Sequence, residues 1–200
     1  EQYEAKVTDT WPQRALFTTK SARFNRASSD YLIRTPNSGN YKTSTFSTWI
    51  KRSNISGVEE HLIGFYTSGT QQFNIKFKSD DTIRVTEYNN AYNIQLDTNR
   101  KFRDVSAWYH IVVALDTTQG TASNRAKLYI NGVQETSFST ATYPSQNTDL
   151  KINGNTSSNF LGAYSSGGDH FSGYMAEVIW VDGQALAPTS FGVANSDGVW

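Results

Sequence analysis

The chain has 200 residues, no cysteine, and 18 basic against 18 acidic side chains. Disulfides, thiolate metal sites and bulk-charge binding of nucleic acid are thereby excluded. Only 18% of residues are charged, whereas Ser (22), Thr (22) and Asn (16) are abundant and 14% of residues are aromatic, a balance that suits a β-rich protein better than a helical bundle or a disordered chain.

Residues 1–20 carry no clean periodicity and read as a lead-in segment to a single domain over 21–200. Glu1-Gln2-Tyr3-Glu4 lacks the basic and apolar regions of a signal peptide, and no apolar run approaches the ~20 residues that span a bilayer, so no membrane insertion is expected. From there the pattern has period two. Phe46, Thr48 and Ile50 alternate with Ser47, Trp49 and Lys51; Phe73, Ile75 and Phe77 with Asn74 and Lys76; Ile83 and Val85 with Arg84 and Thr86. Ile94 and Leu96 flank Gln95, and Leu128 and Ile130 alternate with Lys127 and Tyr129. Such runs predict strands with one face on the core and one in solvent. Trp108 to Leu115 and much of Phe171 to Val181 are apolar on both faces and predict central strands, covered on both sides or bent around the core. Asn131-Gly132 predicts a type I′ hairpin, and Asp80-Asp81, Asn89-Asn90 and Val181-Asp182-Gly183-Gln184 predict further reversals. One short helix is expected near Pro188 to Phe191. About a dozen strands with frequent turns predict an all-β, antiparallel two-sheet sandwich of jelly-roll type. The apolar Val199-Trp200 ending suggests a piece of a longer protein.

Chemistry-bearing groups are sparse. From Thr136 to Gly168 only Asp149 and Lys151 are charged. The loop Tyr164-Ser-Ser-Gly-Gly-Asp169-His170 follows directly: a tyrosine face for a sugar ring, polar groups at Asp169 and His170, and glycines that let backbone N–H groups approach a ligand. A plain hairpin connection is the alternative. The hairpin Glu87-Tyr88-Asn89-Asn90-Ala91-Tyr92-Asn93 offers a second platform, chiefly Tyr88, Asn90 and Tyr92, against simple sheet packing. His110, inside an apolar strand, reads as a packed core histidine, and His61 behind Glu59-Glu60 as a solvated strand end. Retaining glycosidases need two carboxylates ~5 Å apart. Glu59 and Glu60 are adjacent and point to opposite strand faces, so no enzyme is expected. The glycosylation patterns at Asn54 and Asn155 are set aside.

The order of motifs resembles a laminin-G-like, concanavalin A-like jelly-roll module across about residues 20–192. The residues that carry it are Ser21-Ala-Arg-Phe-Asn25, Asp30-Tyr-Leu32, Phe46-Ser-Thr-Trp-Ile-Lys51, Trp108-Tyr-His-Ile-Val112, Lys127-Leu-Tyr-Ile-Asn-Gly132, Leu161-Gly162 and Phe171 to Val178. Phe102-Arg-Asp104, Asp116-Thr-Thr-Gln119, Ser123-Asn-Arg125 and Asp182-Gly-Gln-Ala-Leu-Ala-Pro188 are similar to lectin-like modules of bacteriophage structural proteins. The resemblance implies a virion-surface component such as a tail fibre, made in the bacterial cytoplasm. Its partners would be a host cell-surface glycan or other virion proteins. It leaves open a structural role in a fibre or capsid, and a polysaccharide-cleaving one. Many such modules hold calcium on the rim, for which Asp169, Asp30 and Asp149 are the candidates, although Ala176 stands where an acidic residue is common.

Overall fold

Alternation becomes structure most plainly in the middle of the chain. A computed structural model describes residues 20–152, 158–165 and 168–200; the lead-in at 1–19, the pattern at Asn155 and the Ser166-Gly167 part of the loop lie outside the described residues. The strands are β1 (Ala22–Phe24), β2 (Leu32–Arg34), β3 (Thr43–Arg52), β4 (Glu60–Ser68), β5 (Gln71–Phe77), β6 (Thr82–Asn89) and β7 (Tyr92–Lys101). They continue with β8 (Tyr109–Asp116), β9 (Ala126–Ile130), β10 (Val133–Gln134), β11 (Phe138–Thr142), β12 (Ser158–Leu161) and β13 (Gly173–Asp182). Single 3-10 turns occupy Arg26–Ser28, Ala122–Asn124 and Pro188–Ser190, the last with Pro188 in the first turn as expected.

Among the described residues two antiparallel sheets result. One has six strands in the order β1-β13-β3-β8-β9-β10, the other seven in the order β11-β7-β6-β5-β4-β12-β2. The core between them takes Phe46 and Ile50 from β3, Ile111, Val113 and Leu115 from β8, and Leu128 and Ile130 from β9. The facing sheet contributes Phe65 from β4, Phe73, Ile75 and Phe77 from β5, Ile83 and Val85 from β6, and Ile94 and Leu96 from β7. Each such side chain stabilises the fold by about 1.5–3 kcal/mol relative to exposure. The Asn131-Gly132 turn has positive φ at both residues, 50° and 78°, as a type I′ hairpin requires.

Two features differ from the sequence expectation. β13 is buried only at its start. A bulge between Ala176 and Ile179, with Glu177 at φ 48°, turns Val178 and Ile179 partly into solvent. His110 faces away from the core. It lies on the outer face of the six-stranded sheet between Trp49 (ring centroids 4.8 Å) and Trp200 (5.7 Å). The Trp200 indole, a donor only, donates to His110 Nδ1 at 2.8 Å, so the proton sits on Nε2, 2.9 Å from Ser47 Oγ.

One charged side chain is buried where apolar contact would be expected. Arg52, at the end of β3, is 1% exposed. It reaches from the six-stranded sheet to groups at the rim of the other: Glu60 Oε2 at 3.1 Å, Asp81 Oδ1 at 3.0 Å and the Phe102 carbonyl at 2.8 Å, with its guanidinium over the Phe77 ring. Arg103 binds the other oxygen of Asp81 at 2.8 Å. Burial pushes the Glu60 carboxyl up, while the neighbouring Arg52 opposes that shift. Removing Arg52 leaves the buried Glu60 with only the distant Arg26 and Asp81 with only Arg103, and uncompensated buried charge is costly. Arg52→Met should therefore lower unfolding stability by about 3–5 kcal/mol in urea melts; a loss below about 1 kcal/mol would show that the cluster contributes little.

Candidate functional site

The outer face of the seven-stranded sheet has a regular grid. Pairing registers align three rows across β4, β5, β6 and β7: Tyr66, Gln72, Tyr88 and Tyr92; then Gly64, Asn74, Thr86 and Gln95; then His61, Lys76, Arg84 and Asp97. Residues in one row share a face, and successive rows lie about 7 Å apart along the strands. From β4 to β6 the middle row is short in side chain (Gly64, Asn74, Thr86) and the flanking rows are long. The face is therefore recessed between an aromatic row and a charged row.

The recess is a cavity of about 240 Å³, lined by Gln72, Asn74, Thr86 and Tyr92, by Glu59, His61, Lys76 and Arg84, and by Tyr164 and Asp169. Gly64 is what seats Tyr164 at its side. A Cβ at position 64 would lie 2.6 Å from the Tyr164 carbonyl oxygen and 2.9 Å from that of Ala163. The Tyr164 ring meets His61 at 5.0 Å and Tyr66 edge-on at 5.3 Å, so it spans from the charged row to the aromatic row. Burial and the nearby Tyr66 and Asp169 push its phenol pKa up.

The floor is polar and unsatisfied. Asn74 is 3% exposed and Thr86 4%, and their Oδ1 and Oγ1 have no hydrogen-bond partner among the described residues. His61 is 2% exposed and neither ring nitrogen is partnered; the Asp169 carboxylate stands 3.9 Å from Nδ1, beyond hydrogen-bond reach. Burial, reinforced by the Lys76 charge, lowers the His61 pKa to about 3 despite an opposing Asp169 backbone contribution. The imidazole is therefore neutral near pH 7, with one donor and one acceptor to offer. The charges on the wall are already matched. Lys76 pairs with Glu59, and Arg84 grips Asp97 through Nε and Nη2, both at 2.6 Å.

Tyr164 and Asp169 from the loop and Tyr92 from the hairpin line this one cavity. Tyr88 is the ring behind Tyr92, with centroids 5.0 Å apart. Asn90 is at the turn tip with φ 58°, its N–H donating to the Thr70 carbonyl, outside the lining. His170 is buried against Tyr31 at 5.9 Å and does not line the cavity. His61, Asn74 and Thr86 are the floor that sequence reasoning missed. His61 is fully buried rather than a solvated strand end; the Tyr164 loop covers it. Calcium needs six to eight oxygens. Among the described residues no three His, Asp or Glu side chains gather to hold an ion. Asp30 accepts from the Asn25 N–H, Asp149 lies near Lys42, and Asp169 faces His61.

With this geometry in hand, comparisons place the fold. Residues 26–189 match the laminin-G-type family described as the concanavalin A-like lectin/glucanases superfamily. The chain belongs to that family. No curated relative matches the chain. Among solved structures, domain 4 of an extracellular GH43 arabinanase from Geobacillus stearothermophilus superposes with TM-score 0.57 at 18% identity, covering 76% of this chain and 65% of that one. Domains LG4-5 of the mouse laminin α1 chain give 0.52 at 12% (75% and 38%), and botulinum neurotoxin type C gives 0.53 at 14% (80% and 38%). The chain thus spans just under two thirds of the arabinanase domain. At these identities the likeness is one of fold.

Two of the three buried histidines carry a pH signature. Burial lowers His110 to about 4 and His61 to about 3. Below pH 6.5 the unfolded chain takes up protons that the folded chain refuses, so stability falls as pH drops toward those values. The slope reaches roughly 1.4 kcal/mol per pH unit for each ring. Proton NMR should show the ring signals of both still neutral at pH 5; titration of either near 6.5 would contradict the burial.

Proposed function

We propose that this chain is a non-catalytic recognition module that binds glycan through the cavity on the seven-stranded sheet. The observation that carries the reading is the floor itself. Asn74, Thr86 and His61 hold buried hydrogen-bonding atoms that nothing in the described chain satisfies, beside tyrosine rings. A buried polar group without a partner costs about 1–3 kcal/mol, and a hydroxyl-bearing ring stacked on tyrosine would recover that cost. The likeness to an arabinanase domain solved with arabinotriose, and to a neurotoxin whose cell entry depends on two ganglioside molecules, supports the same reading. The phage-like motifs at Asp116-Thr-Thr-Gln119 and Asp182 to Pro188 support a place on a virion surface, facing host-cell glycan, with synthesis in a bacterial cytoplasm. Weak single-site affinity would then be multiplied by copy number.

Polysaccharide cleavage fits less well. Glu60 is committed to Arg52 behind the sheet and Glu59 to Lys76 on its outer face, so the adjacent carboxylates do not form a pair across one bond. A second reading, packing against protein within a fibre or capsid, is favoured by the edge strand β2, where Leu32 and Ile33 are 58% and 56% exposed.

Thr86→Val separates binding from folding. The variant removes an unsatisfied buried hydroxyl, so its melting temperature should hold or rise. Its binding to the ligands found on a glycan array should fall about tenfold or more, each decade being ~1.4 kcal/mol. Unchanged binding by the valine variant, or an array without any signal, would count against the reading.

A further inference from the structure

Resting on the glycan reading, the geometry points to a narrower ligand: we infer that the cavity takes one uncharged sugar ring at the end of a chain, and not an anionic sugar or the interior of a polysaccharide. Three observations carry this.

The first is charge. Lys76 and Arg84 are the cations of the wall, and each is held by a carboxylate, Glu59 and Asp97 respectively; Lys78 also approaches Asp97 at 3.7 Å. The exposed Asp169 adds a negative charge at the rim, where it would repel an incoming carboxylate or sulfate. Recruiting either cation to an anionic ligand would draw it away from the carboxylate it already pairs with, Glu59 or the buried Asp97.

The second is size. A volume of about 240 Å³ lies below the ~300–1,000 Å³ of pockets for larger ligands. That is room for one pyranose with its hydroxyls.

The third is enclosure. The recess is one row deep. Tyr164, seated on Gly64, stands on the β4 side, and Tyr92 and the Lys76–Glu59 pair rise from the flanking rows. A chain continuing in both directions along the strands would run into one row or the other. His61, Asn74 and Thr86 line the floor beneath the ring, and their unpartnered atoms comprise both donors and acceptors for hydroxyls.

The test is a calorimetric panel on the intact protein. The neutral probes are the methyl glycosides of glucose, galactose, mannose and N-acetylglucosamine; the anionic probes are glucuronate and N-acetylneuraminate. Neutral trisaccharides of the binding sugar complete the panel. At least one neutral methyl glycoside should bind at least tenfold more tightly than either anionic sugar. Its affinity should change less than about twofold when salt is raised tenfold, since the wall charges are paired. The matching trisaccharide should gain less than about threefold. Tighter binding of an anionic sugar, a steep salt dependence, or a tenfold gain from one ring to three would overturn this inference while leaving glycan recognition standing. Absence of binding by every sugar in the panel would remove both.

Discussion

The candidate site depends on which way Glu60 points. Arg52 projects from the end of β3, across the interior, and fixes Glu60 Oε2 at 3.1 Å. Strand side chains alternate, so holding Glu60 inward puts its neighbours Glu59 and His61 on the opposite face. There Glu59 meets Lys76 and His61 lies under Tyr164. The same guanidinium holds Asp81 in the turn that joins β5 to β6, the two strands that supply Asn74 and Thr86. Replacing Arg52 would therefore unfasten both the edge and the floor of the cavity. Replacing the whole cluster with apolar residues of similar volume can stabilise an interior equally well; what such a replacement lacks is this directional hold on two strands.

Much of the sandwich was legible as alternation. Phe73, Ile75 and Phe77 are buried while Gln72, Asn74 and Lys76 line the outer face, as a period-two run requires. Asn131-Gly132 declared its turn. The site was legible only in pieces. Tyr164, Asp169 and Tyr92 stood out as loop residues with useful chemistry, but their convergence depends on β4 lying between β5 and β12, which local sequence does not encode. His61 looked solvated because the loop that buries it is more than a hundred residues away. His110 was read as core-facing because β8 is apolar on both faces. Its true cover, Trp49 and Trp200, comes from distant chain. Arg52 gave no signal, since a cation at a strand end is ordinarily a surface residue.

The neutral stretch at 136–168 and the charged strands β5 and β6 meet at the same place. The sequence suggested a site without charge; the structure surrounds one with charges that cancel. Lys76 with Glu59 and Arg84 with Asp97 make stiff, polar walls that offer little net field. The floor between them keeps buried hydrogen-bonding capacity open at a cost to stability.

The proposed binding surface is this recess and no other. An NMR titration of isotope-labelled protein with the tightest neutral methyl glycoside measures it directly. The account predicts that the largest shifts fall on the backbone amides of His61, Asn74 and Thr86, the Asn74 side-chain amide and the Tyr164 ring. Shifts confined to the outer face of the six-stranded sheet, around Trp49 and His110, would contradict it.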